Sequence, residues 1–97
     1  MTFQIAQTEV FAEWHRGIRD LRARVAIARR IERATQGNLG DVRSIREGLS
    51  EMRVDVGAGY RIYFTMRARA LLLLLCGGDK STQETDIERA MRMLREA

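Results

Sequence analysis

Four side chains suited to binding an RNA phosphate lie on or beside two predicted strands of one hairpin. Arg53 is on the first strand, Arg61 and Tyr63 are on the second, and Lys80 follows the end of the next strand. Residues two apart on a strand share a face of the sheet, so the first three are predicted to share an open face. Arginine binds phosphate through paired hydrogen bonds, tyrosine can stack on a base, and lysine supplies a point charge. The pattern predicts a phosphate site.

Acidic neighbours leave a second interpretation of these strands open. Glu51 and Asp55 alternate with the basic residues, so a solvated face held by ion pairs explains the same pattern. Lys80 is the only lysine beside sixteen arginines. Lysine can lower its pKa and transfer a proton, which arginine effectively cannot. Its position therefore predicts a charged or titrating group, although chance retention of one lysine is an equally simple explanation.

The composition excludes several other kinds of chemistry. One histidine and one cysteine in 97 residues cannot form a zinc site, and no phosphate-binding Gly-Lys-Ser/Thr loop is present. We expect His15 to lie on a helix surface, Cys76 to be an inert core residue, and the chain to need no cofactor or metal. Its longest apolar run is far shorter than the roughly 18–20 residues of a membrane helix. We expect a single cytoplasmic domain covering residues 1–97.

The excess positive charge lies in one segment. The formal charge is +4, and residues 16–46 hold nine arginines against three acidic residues. At about 100° per residue, five arginines of the second predicted helix fall within an arc of about 100°. This face is a solvated surface, a contact for RNA or a dock for an acidic partner. Its arginines are Arg19, Arg22, Arg29, Arg30 and Arg33.

The amino-terminal half is predicted to be mainly helical. Residues 3–6 are typical of a short strand, and Thr8 can cap a helix that ends at about residue 16. A longer helix is predicted over residues 18–36. Its apolar stripe is predicted to consist of Ile18, Leu21, Val25 and Ala28.

The carboxy-terminal half changes to a period of two. Alternation predicts strands over residues 52–56 and 60–66, joined by a Gly-Ala-Gly turn, and residues 71–76 suit a central strand closed by Gly77 and Gly78. Residues 81–84 form a capping box for the final helix. The element order predicts an α+β domain with helices packed on an antiparallel sheet.

Three ordered blocks of sequence cover nearly the full chain. The blocks are Phe11 to Trp14 with Gly17 to Asp20 and Arg33 to Asp41, then Gly48 to Arg53 with Gly57 to Phe64, then Leu73 to Gln83 with Asp86, Ile87 and Ala90. In this order and spacing they resemble the "addiction module killer protein" branch of the RelE/ParE toxins of type II toxin–antitoxin systems, close to the HigB-like toxins.

The resemblance implies a RelE-like fold, a small twisted antiparallel sheet with two N-terminal helices and one C-terminal helix packed on it. It also implies a bacterial toxin neutralised by a cognate helix-turn-helix antitoxin. RelE-like toxins cleave mRNA, usually on the ribosome, by driving the RNA 2′-hydroxyl onto the adjacent phosphate without a metal. Basic side chains stabilise the charge that builds on the phosphorane.

The resemblance also suggests roles for individual residues. By position, Arg61 matches the strand arginine that contacts the scissile phosphate, and Arg53 and Lys80 match other basic positions less closely. Glu51 is a candidate base or orienter of Arg53, and Tyr63 is a candidate stacking group. The five arginines of the second helix are candidate RNA contacts.

One departure from the family keeps other activities open. RelE has a catalytic tyrosine near its C-terminus, and this chain has no tyrosine after Lys80. Either another group, such as Lys80 or Glu51, transfers the proton, or the chemistry is weaker. The alternatives are a non-enzymatic ParE-like toxin that inhibits DNA gyrase, and a degenerate toxin that acts only within a repressor complex.

Overall fold

Five strands and three helices make up the fold in a computed structural model, which describes residues 2–96. None of the helices within this range is both long and apolar enough to cross a membrane. The strands are β1 (Gln4–Gln7), β2 (Val42–Arg46), β3 (Leu49–Val54), β4 (Tyr60–Ala68) and β5 (Leu71–Asp79). The helices are α1 (Glu9–Arg16), α2 (Leu21–Thr35) and α3 (Gln83–Glu96), with a 3-10 turn at Lys80–Thr82 before α3.

The predicted α+β fold is confirmed. The sheet has the order β1-β5-β4-β3-β2, and the pairs from β2 to β5 are antiparallel. The edge strand β1 instead pairs with β5 in parallel, Gln4 opposite Leu71. This pairing joins segments from opposite ends of the sequence, so no local pattern in either strand reports it.

Each face of the sheet buries its own apolar cluster. One face packs on α1 and α2 through a cluster that includes Phe11, Ile27 and Ile62. The other face packs on α3 through a smaller cluster that includes Tyr63 and Met91. Helix α3 covers only part of this second face. It leaves one end of β3 and β4 accessible.

The helix ends follow capping rules, although two starts differ from the prediction. The Thr8 hydroxyl accepts from the Phe11 amide at 3.0 Å, which confirms its role at the start of α1. Helix α2 begins at Leu21 because the Asp20 carboxylate accepts hydrogen bonds from the backbone amides of Arg22 and Ala23, which have no partner within the helix. The 3-10 turn before α3 begins at Asp79, whose carboxylate accepts from the Ser81 amide at 2.8 Å.

The apolar stripe predicted for α2 is wrong beyond Ile18. Leu21 and Val25 are 60% and 41% exposed, and Ala28 is also exposed. At about 100° per residue, the stripe that α2 buries lies roughly 150° round the helix from the predicted one. The buried residues are Ala23, Ile27, Arg30 and Ala34.

Arg30 is buried among backbone carbonyls, so the prediction that it contacts RNA is wrong. Its guanidinium donates to the carbonyl of Arg53, and to the carbonyls of Leu39 at 2.9 Å and Asp41 at 3.4 Å. The pKa of Arg30 is lowered, mainly by burial and also by the nearby positive charge of Arg33. The negative charge of Asp41 acts in the opposite direction and raises it. Arg30 therefore fixes the loop after α2 to strand β3.

Replacing Arg30 by methionine should lower the free energy of unfolding by about 2 kcal/mol, because the buried carbonyls lose a charged donor. Methionine keeps the buried stem, so packing changes little. Urea denaturation measures the effect, and Arg29→Met on the exposed side of the same helix is the control, expected within about 0.5 kcal/mol of wild type. Equal stability of the two variants would contradict this role for Arg30.

The two glycines predicted to close β5 instead lie inside it. A Cβ on Gly77 would come within 2.3 Å of the Trp14 ring, and a Cβ on Gly78 within 1.8 Å of the Asp86 carboxylate. The missing side chains let α1 and the start of α3 pack directly on the strand. The close approach of neighbouring groups explains these glycines better than a chain reversal does.

Candidate functional site

Three cationic side chains meet at the uncovered end of the sheet face that carries α3. Arg53 and Arg61 are direct cross-strand partners on β3 and β4, and Lys80 follows the last residue of β5, which pairs with Tyr60. Gly57 and Gly59 have φ of 56° and 79° and reverse the chain between β3 and β4, as predicted. The resulting cleft has a volume of about 340 Å³ and is lined by Asp41, Arg53, Val54, Asp55, Gly59, Tyr60, Arg61 and Lys80.

Arg53 is held by Asp41. Its guanidinium donates to the Asp41 carboxylate at 2.8 Å, and its backbone amide donates to the Asp41 carbonyl at 2.9 Å. This hydrogen bond lowers the pKa of Asp41 and raises that of Arg53. Glu51 contributes only a weaker charge interaction to Arg53, so the residue that positions Arg53 is Asp41, which the sequence analysis missed.

The carboxyl group of Asp41 should titrate below the ordinary aspartate pKa of about 3.9. Because its pKa is lowered on folding, the pair stabilises the fold above pH 3.9 and loses that effect as pH falls through the lowered pKa. The titration midpoint of the Asp41 carboxyl group, measured by carboxyl-carbon NMR, should rise in the Arg53→Met variant. It should stay constant in the Arg46→Met variant, which removes an exposed arginine of the β2–β3 hairpin. An unchanged midpoint in Arg53→Met would contradict the pairing.

Arg61 contacts a fully buried carboxylate. Its guanidinium donates to Glu51 at 3.4 Å, Arg43 lies 3.5 Å from the same oxygen, and the Gln83 amide donates to the other oxygen at 3.0 Å. Glu51 is 0% exposed and the Arg61 side chain only 12% exposed. The prediction that Arg61 faces open solvent is therefore wrong, because the start of α3 lies over its strand.

Burial also decides what Glu51 can do. A carboxylate with no exposed surface and three donors cannot reach an RNA 2′-hydroxyl, so its predicted role as a base does not fit. It also does not orient Arg53. It holds Arg61, whose remaining exposed surface borders the cleft. Glu51 is thus a positioning residue for Arg61.

Lys80 is the exposed cation of the cleft. A Cβ on Gly59 would come within 2.9–3.1 Å of the Lys80 stem, so the lysine lies across a glycine of the hairpin turn. Within residues 2–96, no carboxylate lies within ion-pair distance of the Lys80 ammonium. Its charge therefore remains available to a ligand in the cleft.

The structure contradicts the predicted stacking role of Tyr63. Tyr63 is 0% exposed in the cluster under α3, and burial raises the pKa of its hydroxyl. The alternation that places it beside Arg61 is correct, but α3 covers that part of the face. The aromatic residue at the cleft is Tyr60, half-buried against Trp14 with ring centroids 6.3 Å apart.

The exposed arginines of α2 do not line the cleft. Helix α2 packs on the cluster that contains Met52 and Ile62, whereas Arg53 and Arg61 occupy the alternate strand positions and point to the other face. The start of α2 nevertheless lies close to the turn beside the cleft, because a Cβ on Gly57 would come within 2.8 Å of the Asp20 carboxylate. The exposed arginines of the helix are Arg22, Arg29 and Arg33, and Arg19 lies exposed just before its first residue.

The other reactive side chains lie outside the cleft. Cys76 is buried in the cluster under α3, and burial raises the pKa of its thiol to about 12. His15 contacts the Arg24 carbonyl through Nε2 at 3.0 Å, between α1 and α2. Across residues 2–96, no three histidine, cysteine or acidic side chains are grouped to hold a metal ion. The cleft offers positive charge, hydrogen-bond donors and an aromatic ring.

Two comparisons show what this chain is similar to. Residues 16–95 match the model of a family described as "Phage derived protein Gp49-like (DUF891)". A protein of Haemophilus influenzae described as uncharacterized is 45% identical over 96 residues, which cover 99% of this chain and 97% of the relative. The match to this relative therefore covers nearly the whole chain.

Proposed function

This chain belongs to the phage-derived Gp49-like family, a toxin-like family of addiction modules, and from that premise we propose that it is the toxin of a type II toxin–antitoxin module. Within that class the proposal is a RelE/ParE-type toxin of the HigB-like branch. It acts in the cytoplasm and is neutralised by a small cognate helix-turn-helix antitoxin.

The proposed activity is metal-independent cleavage of mRNA, alone or on the ribosome. The RNA 2′-oxygen forms a bond to the adjacent phosphorus, and the bond from phosphorus to the 5′-oxygen breaks. The products carry a 2′,3′-cyclic phosphate and a 5′-hydroxyl. Solvent water takes the proton of the 2′-hydroxyl, and Lys80 or water delivers a proton to the leaving 5′-oxygen. The observation that carries the proposal is the convergence of Arg53, Arg61 and Lys80 on one cleft.

Each cation has a role that its surroundings support. Arg61, fixed by Glu51, presents its guanidinium to the scissile phosphate and stabilises the charge of the phosphorane. Arg53, paired with Asp41 and 41% exposed, positions the neighbouring backbone phosphate. Lys80, which is exposed at the cleft, supplies charge or a proton to the leaving oxygen. Tyr60 replaces Tyr63 as the proposed stacking group.

Inducing the protein in cells and mapping RNA 5′ ends tests this activity. New 5′-hydroxyl ends should appear within minutes of induction. Purified protein should produce cyclic phosphate ends either alone in the presence of EDTA or, where it needs ribosomes, in the Mg²⁺ buffer that ribosomes require. Loss of plasmid supercoiling without new RNA ends would favour the gyrase-inhibiting alternative. Unimpaired growth with neither change would favour a degenerate toxin.

A further inference from the structure

An apolar patch on α2 has no partner within the described chain. Leu21 and Val25 are 60% and 41% exposed, and Ala28 continues their stripe at helical spacing. The shallow groove beside them has a volume of about 420 Å³. We define the α2 patch as the residues that line this groove, namely His15, Arg16, Leu21, Arg24, Val25 and Ala28.

The α2 patch cannot turn inward, because the opposite side of the helix is already packed. Ala23 and Ile27 are 0% exposed in the core, and Arg30 is bonded to carbonyls on that same side. The Asp20 cap and the contact of His15 with the Arg24 carbonyl further fix the helix. The patch is therefore preformed, so a partner would bind without ordering it first.

Charge around the α2 patch indicates which partner it fits. Arg16 and Arg24 border the groove, and Arg22 and Arg29 flank the apolar stripe on its other side. A second copy of this chain would bring arginines against arginines. An RNA could pair its phosphates with these arginines, but it would leave the apolar side chains of Leu21 and Val25 without an apolar partner. An apolar stripe with carboxylates on both sides complements the patch.

We infer that the α2 patch is the docking site for an acidic amphipathic helix of a second protein. The stripe from Leu21 to Ala28 spans about 10 Å, or two helical turns, and suits apolar anchors at positions i, i+4 and i+7 of the partner. Only the identity of that partner as the antitoxin depends on the proposed function. The α2 patch and the cationic cleft share no lining residue.

The test uses a 16-residue synthetic helical peptide with leucines at i, i+4 and i+7 and glutamates on both sides. Amide shifts of the full-length protein should change mainly over residues 15–29. The double variant Leu21→Gln, Val25→Gln should weaken binding by about tenfold or more, because it removes the apolar anchors. Met66→Gln is the matched control, since Met66 is 47% exposed on the sheet, and it should bind like wild type.

Peptides with lysine or glutamine in place of glutamate should bind at least several-fold more weakly. Equal binding of all three peptides, equal binding by the double variant, or no binding at millimolar peptide would overturn the inference. A dimer that the double variant dissolves would assign the patch to a second copy, and matching shifts with an RNA oligonucleotide would assign it to RNA.

The same variants separate this inference from the proposed function. The double variant should cleave RNA like wild type, because neither Leu21 nor Val25 lines the cleft. Peptide binding by a protein that cleaves no RNA would remove the nuclease proposal and leave the docking site standing. Loss of cleavage in a folded double variant would instead contradict the separation of the two surfaces.

Discussion

Arg61→Ala should lower the free energy of unfolding by about 3 kcal/mol, an effect larger than that of an ordinary surface substitution. Glu51 is 0% exposed, and Arg61 is one of only two arginines within ion-pair distance of it in residues 2–96. Removing Arg61 leaves a buried carboxylate with Arg43 and the Gln83 amide alone. Urea denaturation followed by circular dichroism measures the loss.

Two further variants make the Arg61 result specific. Arg67→Ala removes an exposed arginine from the same strand and should change stability by less than about 0.5 kcal/mol. The double variant Arg61→Gln, Glu51→Gln removes both charges together and should recover most of the lost stability. That double variant should stay folded and fail to cleave RNA. An Arg61→Ala protein as stable as Arg67→Ala would contradict the buried pair.

Lys80→Met should reduce RNA cleavage by about 100-fold to 1,000-fold without destabilising the fold, because loss of one group that stabilises transition-state charge costs this much. The lysine is exposed, and methionine keeps the apolar stem that lies across Gly59. Cleavage of a defined RNA by purified protein, with ribosomes where required, measures the rate, and thermal unfolding checks the fold.

Arg69→Met is the control for Lys80→Met, because it removes the same unit of charge from the exposed turn between β4 and β5 and should cleave like wild type. Lys80→Arg then separates the two roles of the lysine. A charge role predicts that Lys80→Arg retains most activity, and proton transfer predicts a loss close to that of Lys80→Met. Normal cleavage by Lys80→Met would remove Lys80 from the site.

The sequence predicted the fold well because its signals are local. Alternation over β3 and β4, the Gly57-Ala58-Gly59 turn and the Thr8 cap each depend on a few adjacent residues, and the structure confirms all three. The alternation also placed Arg53 and Arg61 correctly on one face. The parallel pairing of β1 with β5 depends on a distant partner and was not predicted.

Burial was predicted less well, because it depends on what packs opposite each face. Helix α2 carries two apolar stripes, and the core takes the one with Ala23 and Ile27, on the side where Arg30 bonds the carbonyls of Leu39 and Asp41. The spacing in the sequence favoured the other stripe, with Leu21 and Val25. Similarly, nothing near Tyr63 in the sequence reports that α3 lies over it.

The partners of the cationic residues were only partly predictable. Asp41 lies opposite Arg53 because β2 and β3 pair with Val42 opposite Met52 across a tight turn. Recognising β2 as a strand would have been enough to find this pair. The contact of Gln83 with Glu51 joins a helix to a strand across the core, and no spacing in the sequence indicates it.

The two glycines inside β5 have a consequence for how the cleft can vary. Trp14 and Asp86 occupy the space where side chains at Gly77 and Gly78 would lie, on a strand that leads directly into Lys80. Any larger residue would push α1 or the first turn of α3 outward and move the lysine with it. The position of Lys80 relative to its ligand therefore depends on the absence of side chains at Gly77 and Gly78. A substitution at either glycine would misplace the lysine as well as destabilise the fold.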